Sequence, residues 1–140
     1  MDDYAQIMNL VPRFLMGVDH GNWDAVRTLM TDPFRADFSA LTGEPATSAT
    51  PGEFTRQWRK ILSSYDASQH QIGNQIVDID GENAEFNCYV TTSHFRVNGT
   101  EGGTLESIVG SYRFSLVRTG DGWKLSGVVF SISFQTSGSA

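Results

Sequence analysis

Residues 66–98 read DASQHQIGNQIVDIDGENAEFNCYVTTSHFRVN, and this stretch decides the fold. It predicts two consecutive strands joined at Asp80-Gly81, because Asp-Gly between apolar alternations is a hairpin signal. Along the second strand Ala84, Phe86, Cys88, Val90, Thr92 and His94 recur at every second position. A strand sends alternate side chains to opposite faces, so His94 shares the apolar face. On the first strand His70 falls on one face with Ile72, Asn74 and Ile76. Two of the three histidines are therefore expected to point inward from neighbouring strands.

Downstream the chain continues as strand. The alternation predicts strands at 69–79, 83–97, 105–118 and 123–135. Asn98-Gly99, with Gly102-Gly103 near it, and Gly120-Asp121-Gly122 supply the turns, and Gly110 and Gly127 permit bending. Upstream, Tyr4, Met8, Val11, Leu15 and Val18 step by three and four, flanked by Ile7, Leu10 and Phe14. That spacing predicts an amphipathic helix over 3–19, with Pro12 as a possible kink and Gly21 as its C-terminal cap. A short second helix is expected behind Asn22, with Trp23, Val26, Leu29 and Met30 as its apolar stripe and Thr31-Asp32-Pro33 as its stop. Phe34 to Ser39 alternates as a short strand, and 41–50 reads as a polar loop. Thr50-Pro51-Gly52-Glu53 is a helix start, with a threonine cap, proline at the first position and glutamate at the third. This helix runs to about Ser64 with Phe54, Trp58, Ile61 and Leu62 inward.

Helices first and a long meander afterwards predict an α+β fold. About three N-terminal helices would pack on the concave face of a strongly curved mixed or antiparallel sheet. Such a sheet closed by helices makes a cone with one open mouth, a natural pocket for a small molecule.

The 140 residues form one expected domain, residues 1–135, with Thr136-Ser137-Gly138-Ser139-Ala140 as a flexible tail. The net charge of −6 argues against nucleic acid and against an anionic membrane surface. A single cysteine, Cys88, cannot form an internal disulfide and reads as a small buried hydrophobe, so the cytoplasm is the expected compartment. Met-Asp-Asp-Tyr has no basic region leading an apolar run, so no signal peptide is expected. No apolar run reaches the ~20 residues that span a bilayer.

The ionisable residues expected near the pocket are His70, His94 and Asp19, the last at the end of the first helix. A carboxylate beside an imidazole fixes its tautomer and makes it a competent general base. A second histidine then protonates or polarises a substrate oxygen. This set suits proton abstraction beside a carbonyl, coupled to loss or migration of a group, and needs no cofactor. The plainer reading is that each inward histidine is a satisfied core residue and Asp19 a polar helix end. Asp37 is a rival acid, but it alternates away from Phe34 and Phe38. His20 sits in a Gly-flanked turn and reads as exposed. A His-His-Asp metal site is a further alternative, weakened by the lack of i, i+4 spacing and of a thiolate cluster. Tyr65, Tyr89, Tyr112, Trp58, Phe86 and Phe130 are core aromatics by default. Tyr112 is the one expected to offer a hydroxyl to substrate.

Taken in order, Gly17-Val18-Asp19 with Asn22-Trp23-Asp24, Ser68-Gln69-His70, His94 and Gly120-Asp121-Gly122-Trp123-Lys124 resemble the NTF2-like superfamily. The likeness is to its SnoaL-like and scytalone dehydratase-like branch. It implies a hydrophobic pocket in an α+β cone, cofactor-free acid–base chemistry on a small molecule, and a homo-oligomer, dimer or trimer. Carried over, His70 matches the proton-abstracting base, Asp19 the carboxylate that orients a histidine, and His94 the second histidine of the scytalone dehydratase pattern. Val18 and Phe38 stand where that enzyme has water-holding tyrosines, and Tyr112 falls at its pocket asparagine. With Trp58 these are the expected substrate-contacting residues, and no metal is expected. The lysine and arginine of a hexachlorocyclohexane dehydrochlorinase in the same branch have no match. The superfamily also holds non-catalytic members, so the competing expectation is a binding or assembly module. Its outer sheet face would carry Asn87, Tyr89, Thr91, Ser93, Ser111, Arg113 and Ser115.

Overall fold

The first helix, α1 (Asp3–Asp19), begins where the Asp2 carboxylate accepts the Ala5 N–H at 2.7 Å, satisfying one of the orphan donors of the first turn. The computed structural model describes residues 2–97 and 102–139. Helix α1 runs through Pro12 without interruption and buries Ile7, Leu10, Val11, Phe14, Leu15 and Val18. It ends at Asp19, and the expected Gly21 follows its C-cap with a φ of +69° that is open to glycine at no steric cost.

Helix α2 (Trp23–Thr28) is shorter than its apolar stripe suggests, and Asn22 makes no side-chain cap to it. Leu29 and Met30 lie beyond the helix. The Leu29 carbonyl accepts the Leu125 N–H at 2.8 Å, and Met30 opens strand β1 (Met30–Asp37) beside Leu125. The strand thus begins at Met30, paired with Leu125, and runs through a register break before Arg35, although local signals alone assign residues 30–33 to a helix end and its stop. The expected loop holds a short helix α3 (Ser39–Thr42) and a three-residue strand β2 (Thr47–Ala49). Helix α4 (Pro51–Leu62) starts as the sequence predicts, with the Thr50 hydroxyl accepting the Glu53 N–H at 3.1 Å.

Four long strands follow: β3 (Ala67–Asp80), β4 (Asn83–Val97), β5 (Gly103–Thr119) and β6 (Gly122–Ser139). Among the described residues the sheet order is β2-β1-β6-β5-β4-β3, antiparallel except where β1 runs parallel to β6. The turn expected at Asn98-Gly99 lies outside the described residues. Thr136 to Ser139, expected as a tail, instead continue β6 and pair with residues 107 to 104 of β5. Their polar composition suits a strand end whose backbone hydrogen bonds are satisfied by its neighbour.

All six residues counted inward on β4 are buried. On β3 the count holds only as far as a bulge between Gly73 and Ile76, where Asn74 takes φ +53°. The bulge reverses the parity. Ile76, expected to share the face of His70, is 60% exposed, and Val77 takes the inward place opposite Phe86. Curvature elsewhere comes from register shifts at Val109/Gly110 and Ser115/Leu116, the latter opposite Gly127. The helices cover the inward face of the sheet, and Phe14, Phe34, Phe86 and Phe114 fill the space between. Phe14 meets Phe34 at 6.4 Å and Phe114 edge-on at 6.0 Å between ring centroids, arrangements favoured by the ring quadrupoles.

Candidate functional site

Strand β3 is an edge of the sheet, and an edge leaves every second N–H without a ladder partner. At His70 that free N–H donates to the Asp19 Oδ2 at 2.9 Å. The other oxygen, Oδ1, lies 2.7 Å from the His70 Nδ1. The last residue of α1 therefore closes the sheet edge and holds the imidazole with one carboxylate. Both side chains are withdrawn from water, at 8% exposure for Asp19 and 3% for His70. With Nδ1 engaged, Nε2 is the ring nitrogen left to the cavity.

That cavity has a volume of about 320 Å³. His70 and His94 both line it, placed on one face by the Ser68–His94 and His70–Thr92 pairings of β3 with β4. Phe38, Trp58 and Tyr112 form part of its wall without filling it, as do Ile108 and Phe130. Trp58 presents its ring edge-on to His70 at 5.8 Å. Tyr112 packs on Phe130 at 5.5 Å, and Phe38 stacks on Phe130 at 6.2 Å. Leu41 and Ile61 are wall residues that also reach solvent, beside the exposed Thr42, Glu44, Thr47 and Gln57. Among the described residues no Lys or Arg lines the cavity, and Glu44 is the acidic residue on its wall.

Val18 does not reach this wall. Helix α1 turns it into the core at 2% exposure, and the expectation that it contacts substrate is corrected accordingly. Asp37 accepts the backbone N–H and the hydroxyl of Ser39, bonds that hold its carboxyl below the usual range, and it does not line the cavity. His20 is exposed. Among the described residues no group of three or more His, Cys, Asp and Glu side chains is placed to hold a metal ion.

His94 sits in a second polar cluster that the sequence reading missed. Its Nδ1 lies 3.5 Å from the Glu106 Oε1, which also accepts the Tyr65 hydroxyl at 3.3 Å. The Tyr65 ring stacks on His94 at 4.3 Å between centroids. Burial pulls the His94 pKa below its ordinary value, with Glu106 opposing that pull. Tyr112 is pushed up by burial and stays a phenol, in hydrogen-bond contact with Thr92. Burial also pushes the Cys88 thiol up to about 11, which suits a structural rather than a reactive cysteine. Glu106 could have been found by the count that found His94. It lies two residues before Ile108 and four before Gly110, on the inward parity of β5.

A family model described as the SnoaL-like domain matches residues 1–129. No curated protein matches the sequence. Among solved structures, the Kfla4162 protein from Kribbella flavida is 30% identical, with a TM-score of 0.89, over 96% of this chain and 93% of that one. A Streptomyces avermitilis protein provisionally named a dehydratase of the NTF2-like family is 18% identical, with a TM-score of 0.81, over 94% and 97% of the two chains. A hexachlorocyclohexane dehydrochlorinase, LinA type 2, is 17% identical, with a TM-score of 0.81, over 98% and 89%. The last two likenesses carry the fold alone, and that fold is the NTF2-like cone.

Proposed function

The chain belongs to the SnoaL-like domain family, and from that premise we propose that it is a cofactor-independent acid–base enzyme of the dehydratase, isomerase or cyclase kind. Its substrate is a hydrophobic, cyclic, carbonyl-containing small molecule. The observation that carries the reading is the double hold of Asp19 on His70 at the wall of an apolar cavity that His94 shares.

In this reading Asp19 fixes the His70 tautomer with the proton on Nδ1, so Nε2 takes a proton from carbon beside the substrate carbonyl. His94 supplies a proton to the carbonyl or departing oxygen, and the Tyr112 phenol donates a hydrogen bond there. Phe38, Trp58 and Phe130 hold the ring of the substrate. The absence of Lys and Arg from the wall favours an uncharged substrate over an anionic one. The protein works in the cytoplasm as a homo-oligomer, with Tyr89, 64% exposed, on the outer sheet face that copies would share.

The test is His70→Ala, assayed against a panel of cyclic hydroxyketones. We expect turnover to fall by at least about 10²-fold with the melting curve kept. Full activity in the variant would remove His70 from the mechanism.

A further inference from the structure

The register of β4 against β5 sets His94 directly opposite Glu106. Both lie on the inward parity of their strands, so their side chains meet on the cavity side of the sheet. Two further contacts fix the pair. The Tyr65 hydroxyl reaches the same Glu106 oxygen that faces His94, at 3.3 Å, and the Tyr65 ring lies against the imidazole. Tyr65 is itself held, since the Arg96 guanidinium lies over its ring at 4.8 Å and donates to the Ser64 carbonyl at 2.9 Å. A carboxylate, a phenol and an imidazole are thus assembled from three separate segments.

We propose that Glu106 is a positioning residue of this site: its carboxylate holds the Nδ1–H of His94 and favours the charged form of the ring, whose Nε2–H then faces the cavity as proton donor to a departing substrate oxygen. The inference rests on the acid–base reading above and adds to it the group that makes His94 a donor. The step balances for a dehydration. His70 Nε2 takes the proton from carbon, the electron pair of that bond forms the new carbon–carbon double bond, and the carbon–oxygen bond breaks. The departing hydroxyl takes the Nε2 proton of His94 and leaves as water. His94 is left neutral with Nδ1–H on Glu106, and exchange with solvent returns the proton from His70 to His94.

Physical reasons favour the assignment over a chance neighbour. A buried imidazole resists charging, and His94 has only 10% of its side chain exposed. The groups that act on it are Glu106 from β5 and Asp19 from α1, which favour its proton, and His70 from β3, which opposes it. Tyr65 and Arg96 complete the surroundings. At 3.5 Å the Glu106 contact is long for a hydrogen bond, so its pull on the ring is modest.

The experiment reads His94 without substrate. Protein labelled with ¹⁵N-histidine is titrated by NMR as wild type, Glu106→Gln and Tyr65→Phe, with His94→Gln to assign the signal. Glu106 has 37% of its side chain exposed and is partly screened, so removing its charge should lower the His94 midpoint by roughly half a pH unit. Tyr65→Phe should move it the same way and less. An unchanged midpoint and unchanged ring-nitrogen shifts in Glu106→Gln would overturn the proposal. Should that variant fail to fold, Glu106→Asp is read in the same way, a smaller downward shift supporting the proposal and an unmoved midpoint overturning it. Because no turnover is measured, this outcome is independent of His70→Ala, whose failure would remove His70 from the mechanism instead.

Discussion

A Cβ placed on Gly110 would stand 2.0 Å from the carbonyl oxygen of Ser131. The partner is backbone on the adjacent strand, so no rotamer change relieves the clash. The register shift between Val109 and Gly110 occurs at this point, and it bends the sheet around the cavity. Gly110→Ala should therefore destabilise the protein by about 2–3 kcal/mol, the scale of overpacking without a flexible neighbour. Urea unfolding should show a lower midpoint with an unchanged slope. An unaltered midpoint would mean that β5 and β6 part there at no cost.

The double hold of Asp19 makes a separate prediction. In Asp19→Asn an amide oxygen still accepts the His70 backbone N–H, so the sheet edge stays closed. The other position then offers an NH₂ group to Nδ1, which favours the opposite tautomer and turns Nε2 from acceptor to donor. We expect kcat to fall by about 10²–10⁴-fold. Stability should fall by no more than the ~1–3 kcal/mol of a mismatched buried polar group. Turnover beside a thermal melt separates the two. Loss of stability with retained turnover would make Asp19 a helix-to-sheet tie and nothing more.

His94 should leave a mark on stability against pH. Burial, the largest influence, holds its pKa below the ordinary 6.5, with Glu106 partly opposing. In the unfolded chain the ring binds its proton first as pH falls, so the unfolded state gains protons the folded state refuses. The stability contributed by neutral His94 is complete above pH 6.5 and is lost as pH drops from there through the lower folded value. The wild-type melting temperature should decline across that window, and His94→Gln should decline less steeply. Parallel curves would mean that His94 titrates alike in both states.

How far the sequence could be read depends on what each element answers to. Strand β4 is central in its half of the sheet and buried along one whole face, so its period of two carried His94 and Thr92 to their places without help. Asp19 and His70 were legible as a pair only because one ends a helix and the other begins an inward alternation. Ile76 was misplaced because a bulge depends on backbone geometry across the ladder, and Gly73-Asn74 marks it only weakly. Met30 and Thr136 to Ser139 were misassigned for a common reason. Each is held by hydrogen bonds to a neighbouring strand far away in the chain, and local propensity carries no trace of that neighbour. Glu106 went unread because a charged residue on a strand is taken by default to face water, although its parity pointed inward.

The bulge in β3 also makes one strand serve two masters. Ahead of it His70 lines the cavity, and behind it Val77 packs against the core. The inserted residue acts as a frame change written in space rather than in codons. A single deletion between Gly73 and Ile76 would leave the composition almost untouched, yet it would oblige the strand to choose. Either His70 keeps its partner and Val77 is thrown outward, or the core keeps Val77 and the imidazole is turned away from Asp19. Natural variation in this segment is thus expected to come in pairs of residues, which preserve the phase.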